Sequence, residues 1–243
     1  MKKNYAYYEN PKISSFKELM NLSILNPEDI AFSYLDKNKV RVSKTYQEFY
    51  DEVRLVSNYM ANLYNNKHLG LIGNNSYDFL VIFMSIVISG NCAVIIDKDL
   101  DSNDIKKMLK NTNTNTCFYS KEYCDNLSGI GSKMYPIEEI DTYKSEKDFI
   151  RFTNPKDCRV IFFTSGTTGF NKAVMLSEEN ICFDIWSLAS LFKPNGSVYA
   201  VLPFHHSFGL ITGILKPFYY HVPIFINSSL KSLQKEMKLA SPN

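Results

Sequence analysis

Short apolar runs alternate with segments of helical period along most of this chain. Ile30–Leu35, His68–Ile72, Cys92–Ile96 and Thr116–Tyr119 each have the length and bulk of one strand. Between them, Thr45 and Glu48 form a capping-box pattern that opens a helix through about Tyr64. Its apolar positions are Phe49, Val53, Val56, Met60 and Leu63. Asn75 or Ser76 starts a second helix and Gly90 ends it. Ser102–Leu109 reads as a third. A β-α-β-α-β order argues a mainly parallel sheet flanked by helices, an α/β fold. One exception is Val40–Ser43, which pairs back on Ile30–Leu35 through a hairpin at Lys37-Asn38-Lys39.

The rhythm weakens over residues 126–156, which read as a connection with one strand near Met134–Ile137. It then resumes. Arg159–Thr164 and Lys172–Leu176 read as strands, and Ser177 caps a helix from Glu178 to about Phe192. Val198–Leu202 is a strand, His206–Tyr219 a helix, Val222–Ile226 a strand and Ser229–Leu239 a final helix. The expected division is an α/β subdomain over 1–157 and a second α/β portion over 158–243.

Between Phe163 and Ala173 lies Thr164-Ser165-Gly166-Thr167-Thr168-Gly169-Phe170-Asn171-Lys172. Gly166 and Gly169 let backbone N–H groups approach oxygen atoms closely. Ser165, Thr167 and Thr168 add hydroxyl donors, and Lys172 adds a mobile positive charge. Hydrogen bonds to charged groups contribute about 1.5–3 kcal/mol each, so a few such donors can hold a triphosphate. The spacing G-x-x-G-x-x-K, with Ala173 after the lysine, is not a Walker A loop. A kinase-like phosphate-loop NTPase is therefore disfavoured. A Ser/Thr/Gly hairpin turn that binds nothing is the plainer alternative.

Thr164–Val174 resembles the phosphate-binding signature of the adenylate-forming, AMP-binding enzymes, which include acyl-CoA synthetases, luciferases and peptide-synthetase adenylation domains. The match holds at Thr164, Ser165, Gly166, Thr167, Thr168, Gly169 and Lys172 and departs at Asn171 and Ala173. The next motif of that family is similar to Pro203-Phe204-His205-His206-Ser207-Phe208-Gly209. The resemblance implies an incomplete N-terminal domain of such an enzyme. ATP and Mg²⁺ would be its cofactors, with coenzyme A as acyl acceptor of the full-length enzyme. Thr164 through Gly169 with Lys172 would bind the nucleotide, Thr164 would reach Mg²⁺, and Lys172 would stabilise the leaving pyrophosphate. His206 would line the carboxylate pocket. His205 either joins it or is a helix-start histidine satisfied by backbone carbonyls.

The reaction implied is ATP + carboxylate → acyl-AMP + PPi, then transfer to a thiol, with a fatty or aryl acid as the expected substrate. The family's later Y-G-x-T-E and T-G-D elements, and its C-terminal domain, have no counterpart before Asn243. The expectations are that this piece is inactive alone, exposes apolar surface where further segments would pack, and self-associates. A non-catalytic nucleotide- or partner-binding module and an amino-acid adenylation fragment are the alternatives.

Composition narrows the field. Hydrophobic residues make up 45% of 243 residues, enough for a substantial core. A net charge of +2 offers no electrostatic footprint for nucleic acid. Met1-Lys2-Lys3 precedes no apolar stretch of signal-peptide type, and the most apolar run, Phe79–Ile88, is too short to span a bilayer. The five cysteines form no C-x-x-C pair, so reduced thiols in a cytoplasmic protein are expected, none of them catalytic.

Overall fold

The structure, a computed structural model, describes residues 9–127, 129–149, 153–164, 172–191, 196–227 and 233–240. Its elements in chain order begin with α1 (Phe16–Ser23), β1 (Ile30–Leu35), β2 (Arg41–Thr45), α2 (Tyr46–Leu63) and β3 (His68–Ile72). They continue with α3 (Tyr77–Ile88), β4 (Cys92–Ile96), α4 (Ser102–Asn111), β5 (Thr116–Tyr119) and β6 (Lys133–Pro136). After these come β7 (Cys158–Thr164), β8 (Lys172–Ser177), α5 (Glu178–Leu191) and β9 (Val198–Ala200). The last are α6 (Ser207–Leu210), α7 (Lys216–Tyr219), β10 (Ile224–Ile226) and α8 (Leu233–Ala240).

The chain forms two compact units, one of Met1–Tyr50 with Glu179–Asn243 and one of Asp51–Glu178. The boundary expected at 157/158 falls inside the second unit. The reason is pairing: β7 lies beside β4 in one sheet, so the chain after residue 157 completes that sheet rather than starting another.

In the unit of Asp51–Glu178 the sheet order is β6-β5-β3-β4-β7-β8. All neighbours are parallel except β7 and β8. α3 is buried from Phe79 through Val87, which explains why it has no polar face. Its cap, Ser76 Oγ, accepts from Phe79 N–H at 3.1 Å. A cap is worth about 1 kcal/mol and each large buried side chain about 1.5–3 kcal/mol, so packing rather than capping holds this helix. α4 is amphipathic and buries only Ile105, Met108 and Leu109, which join Ile72, Val94, Ile96 and Ile161 in one cluster. Asp101 caps it, accepting from the N–H groups of Asn103 at 2.8 Å and Asp104 at 3.0 Å.

In the other unit the order is β2-β1-β10-β9. β10 is parallel to both β1 and β9, whereas β2 returns antiparallel along β1. The hairpin turn falls at the expected residues: Lys39 has φ 62°, and Asp36 Oδ1 accepts from Asn38 N–H at 2.9 Å and Val40 N–H at 2.8 Å. The capping box is also formed, with Thr45 N–H donating to Glu48 Oε2 at 2.8 Å and Glu48 N–H to Thr45 Oγ1 at 3.1 Å. Phe32 packs against Phe49 and Phe218, with ring centroids 4.8 and 5.8 Å away.

Two elements depart from the sequence expectations. α1 was not expected, although Ser15 caps it by accepting from Glu18 N–H at 3.1 Å and Phe16, Leu19 and Met20 stand at the helical spacing i, i+3 and i+4; the stripe is only about one turn long. The helix expected over His206–Tyr219 starts at Ser207, and its middle, Ile211–Leu215, winds as a π-helix between α6 and α7. No helix among the described residues is long and apolar enough to cross a membrane.

Candidate active site

β7 carries the chain out of its core. Val160, Ile161 and Phe162 are buried, Phe163 is half-buried and Thr164 is exposed. β4 holds the buried part through Ala93 opposite Val160 and Val94 opposite Ile161. On its other side β8 runs back in register, and the last pair is Thr164 opposite Lys172. Directly opposed residues of an antiparallel pair project to the same face. The Thr164 hydroxyl and the Lys172 ammonium therefore leave the hairpin on one side, and both residues are exposed. Because β7 is parallel to β4, this pair stands at the carboxyl edge of the sheet, where open α/β sheets gather ligands. Ser165, Gly166, Thr167, Thr168 and Gly169 lie outside the described residues.

The opposite end of the hairpin is anchored by charge. Arg159, 1% exposed, lies in β7 and Glu178, 3% exposed, opens α5 directly after β8; their Nε and Oε2 are 4.0 Å apart, an ion-pair contact longer than a hydrogen bond. Arg159 Nη2 also donates to Asp157 Oδ2 at 3.2 Å. Sequence reasoning passed over this pair. The only signal was an arginine set directly before the apolar run Val160–Phe163, a position that a strand buried on both faces would give to an apolar residue.

In the other unit β9 leads into Pro203–His206, where His206 N–H donates to the Pro203 carbonyl at 3.1 Å. His206 occupies the N-cap position of α6 in extended geometry, φ −96° and ψ 134°, and makes no side-chain cap bond. Its ring is exposed and lies 4.3 Å from the ring of half-buried His205. Phe204 is buried beneath them, and Phe208 is 64% exposed. A Cβ at Gly209 would collide with the Pro203 carbonyl oxygen, so only glycine lets the helix start close against the turn. The parallel register of β9 and β10 puts this turn at the carboxyl edge of its own sheet. The structure thus pairs Thr164 with Lys172 and His205 with His206, and the two pairs belong to different units.

Residues 25–236 match the family model described as AMP-binding enzyme. The chain belongs to that family. Among relatives of this AMP-binding chain, a probable 4-coumarate–CoA ligase of Dictyostelium discoideum is 25% identical over 190 residues, covering 63% of this chain and 34% of its own length. A fatty acid AMP ligase from Legionella pneumophila superimposes with TM-score 0.81 at 19% identity, covering 98% of this chain and 43% of that one. McyG A-PCP complexed with phenylalanyl-adenylate gives TM-score 0.80 at 16% identity, covering 96% of this chain and 39% of that one. The chain spans about a third of the length of the curated relatives it matches. Those solved structures share its α/β fold of parallel sheets flanked by helices.

Proposed function

We propose that this chain carries the phosphate-gripping part of an ATP-dependent ligase that forms acyl-AMP and pyrophosphate from ATP and a carboxylate. The observation that carries the reading is the Thr164–Lys172 pair at the carboxyl edge of a parallel sheet, framing a loop rich in glycine and hydroxyl groups. Lys172 would bind and orient the phosphate oxygens and offset their charge as pyrophosphate departs. Thr164, with Ser165, Gly166, Thr167, Thr168 and Gly169, would complete the cradle, and the Thr164 hydroxyl would approach Mg²⁺. A hydroxyl and an ammonium on one face suit a magnesium–triphosphate, which needs both donors and positive charge. His206 would face the acyl group, with His205 beside it. When bound, ATP supplies the activated phosphorus that the carboxylate attacks.

The acid is read as fatty or aryl and the acceptor as coenzyme A, supported by relatives named as a coumarate–CoA ligase and a fatty acid AMP ligase. Calorimetry with Mg·ATP on the chain and on Lys172→Ala, with carboxylate-dependent pyrophosphate release measured in parallel, tests the reading. Binding that is clearly weakened in the variant supports it. Equal binding by both proteins, or none by either, rejects it.

A non-catalytic nucleotide- or partner-binding module is the second reading. Nucleotide binding without pyrophosphate release would support it. Self-association has a candidate surface at the sheet edge, where β8 exposes Val174 at 38% and Met175 at 61%. A concentration-independent monomer in sedimentation velocity would exclude that.

A further inference from the structure

Cys92 and Cys158 lie 66 residues apart in the chain, and their Sγ atoms are 3.5 Å apart. Cys92 opens β4 and Cys158 opens β7, which are neighbouring parallel strands with Ala93 opposite Val160. That register sets Cys92 level with Arg159, so Cys158 sits one residue away along its strand; a strand spacing of about 4.8 Å and a rise of about 3.3 Å give a Cα separation of about 5.8 Å, inside the roughly 4.4–6.8 Å that disulfides span. Closing the sulfurs to a bond of about 2.05 Å thus asks for side-chain rotation, while the backbone is already in place.

The two thiols differ in setting. Cys92 is buried, and Cys158 is half-buried just after the turn at Asn154–Asp157. A hydrogen bond with the Cys92 thiol holds the Cys158 thiol below the usual range against the opposing effect of burial, helped by the backbone of Leu176 and Val160 and by the Arg159 guanidinium. That same bond, with burial, pushes Cys92 up, so Cys92 keeps its proton. One group is set to attack and the other to resolve.

We propose that Cys92 and Cys158 form a reversible redox modification site, at which a hydroperoxide converts the pair into a disulfide tying β4 to β7 beneath the Thr164–Lys172 hairpin. The Cys158 thiolate attacks the terminal peroxide oxygen. The O–O bond breaks, the alkoxide leaves and takes a proton from water, and Cys158 becomes a sulfenic acid. The Cys92 sulfur then attacks that sulfur. The S–O bond breaks, and the departing hydroxide takes the Cys92 proton as water. In sum, two thiols and one hydroperoxide give one disulfide, one alcohol and one water, with two electrons passed from sulfur to oxygen. A dithiol reverses the bond by exchange.

The remaining cysteines supply controls. Cys117 and Cys182 are buried and Cys124 is exposed. Burial pushes the Cys117 thiol up to about 12. The test treats the purified chain with hydrogen peroxide, blocks free thiols and maps peptides without reduction. The expected result is one cross-linked peptide pair holding Cys92 and Cys158, with two hydrogens lost per chain and regained on dithiothreitol. Cys124→Ser should leave the cross-link intact, and Cys158→Ser should abolish it. If Cys158→Ser does not fold, the wild-type map alone decides. A Cys158 sulfinate with Cys92 still free, or a disulfide through Cys124, would overturn the proposal.

Discussion

Thr164 and Lys172 stand directly opposite each other as the last pair of the β7–β8 ladder. Lys172 is exposed on an edge strand, so removing its ammonium disturbs no packing. Lys172→Ala is expected to weaken Mg·ATP binding about 10- to 100-fold, the loss of one charged hydrogen bond or phosphate contact. Its melting temperature should match wild type. Titration calorimetry and thermal unfolding on the same samples separate the two effects.

Gly209, in α6, and Gly213, in the π-helical stretch that follows, give a paired test of how closely α6 packs on the turn before it. A Cβ at Gly209 would strike the Pro203 carbonyl, whereas one at Gly213 would meet nothing within 4 Å. Gly209→Ala should cost about 1–3 kcal/mol, the usual range for overpacking. Gly213→Ala should be neutral or stabilising by about 0.5–1 kcal/mol, because glycine carries an entropic cost inside helices. Urea midpoints at constant slope report both.

The Arg159–Glu178 pair should be costly to break and cheap to replace. Arg159→Met leaves a carboxylate buried opposite an apolar chain and should cost about 3–5 kcal/mol. Arg159→Met combined with Glu178→Leu should recover most of that loss, since both desolvation penalties disappear together. Equal losses in the single and double variants, measured by denaturant unfolding, would contradict an ion-pair role.

Asp101 links stability to pH. Backbone N–H groups of Asp104 and Asn103 hold its carboxyl below its ordinary value of 3.8. The folded state therefore favours the carboxylate, and the resulting stability is present above pH 3.8 and lost as pH falls through the lower folded value. Asp101→Ala should lower the melting temperature at pH 7. The gap to wild type should narrow as pH falls below 3.8, where the unfolded state takes up the proton first, and close once the folded carboxyl is protonated as well.

Local signals were written plainly in the chain. The capping box at Thr45 and Glu48, the Ser76 start of α3, the apolar runs of β3, β4 and β5, and the hairpin at Lys37–Lys39 all appear at the expected residues. Each rests on groups within a few residues of one another, so propensity and capping speak before any tertiary contact forms. The two strands that end at Thr164 and Lys172 were legible for the same reason, since apolar runs on either side of a glycine- and hydroxyl-rich segment are a local pattern.

The sequence by itself determined most of the strands and helices, and it set a glycine- and hydroxyl-rich segment between two of the strands. Only the tertiary structure decided which strands lie together. β1 pairs with β10, Phe32 opposite Ile224, closing one sheet between segments from opposite ends of the chain. The same kind of long-range pairing set Cys92 beside Cys158 and brought β7 to β4. No local period encodes such partners. They follow from which apolar faces can be buried against each other at once, a property of the whole chain rather than of any stretch within it.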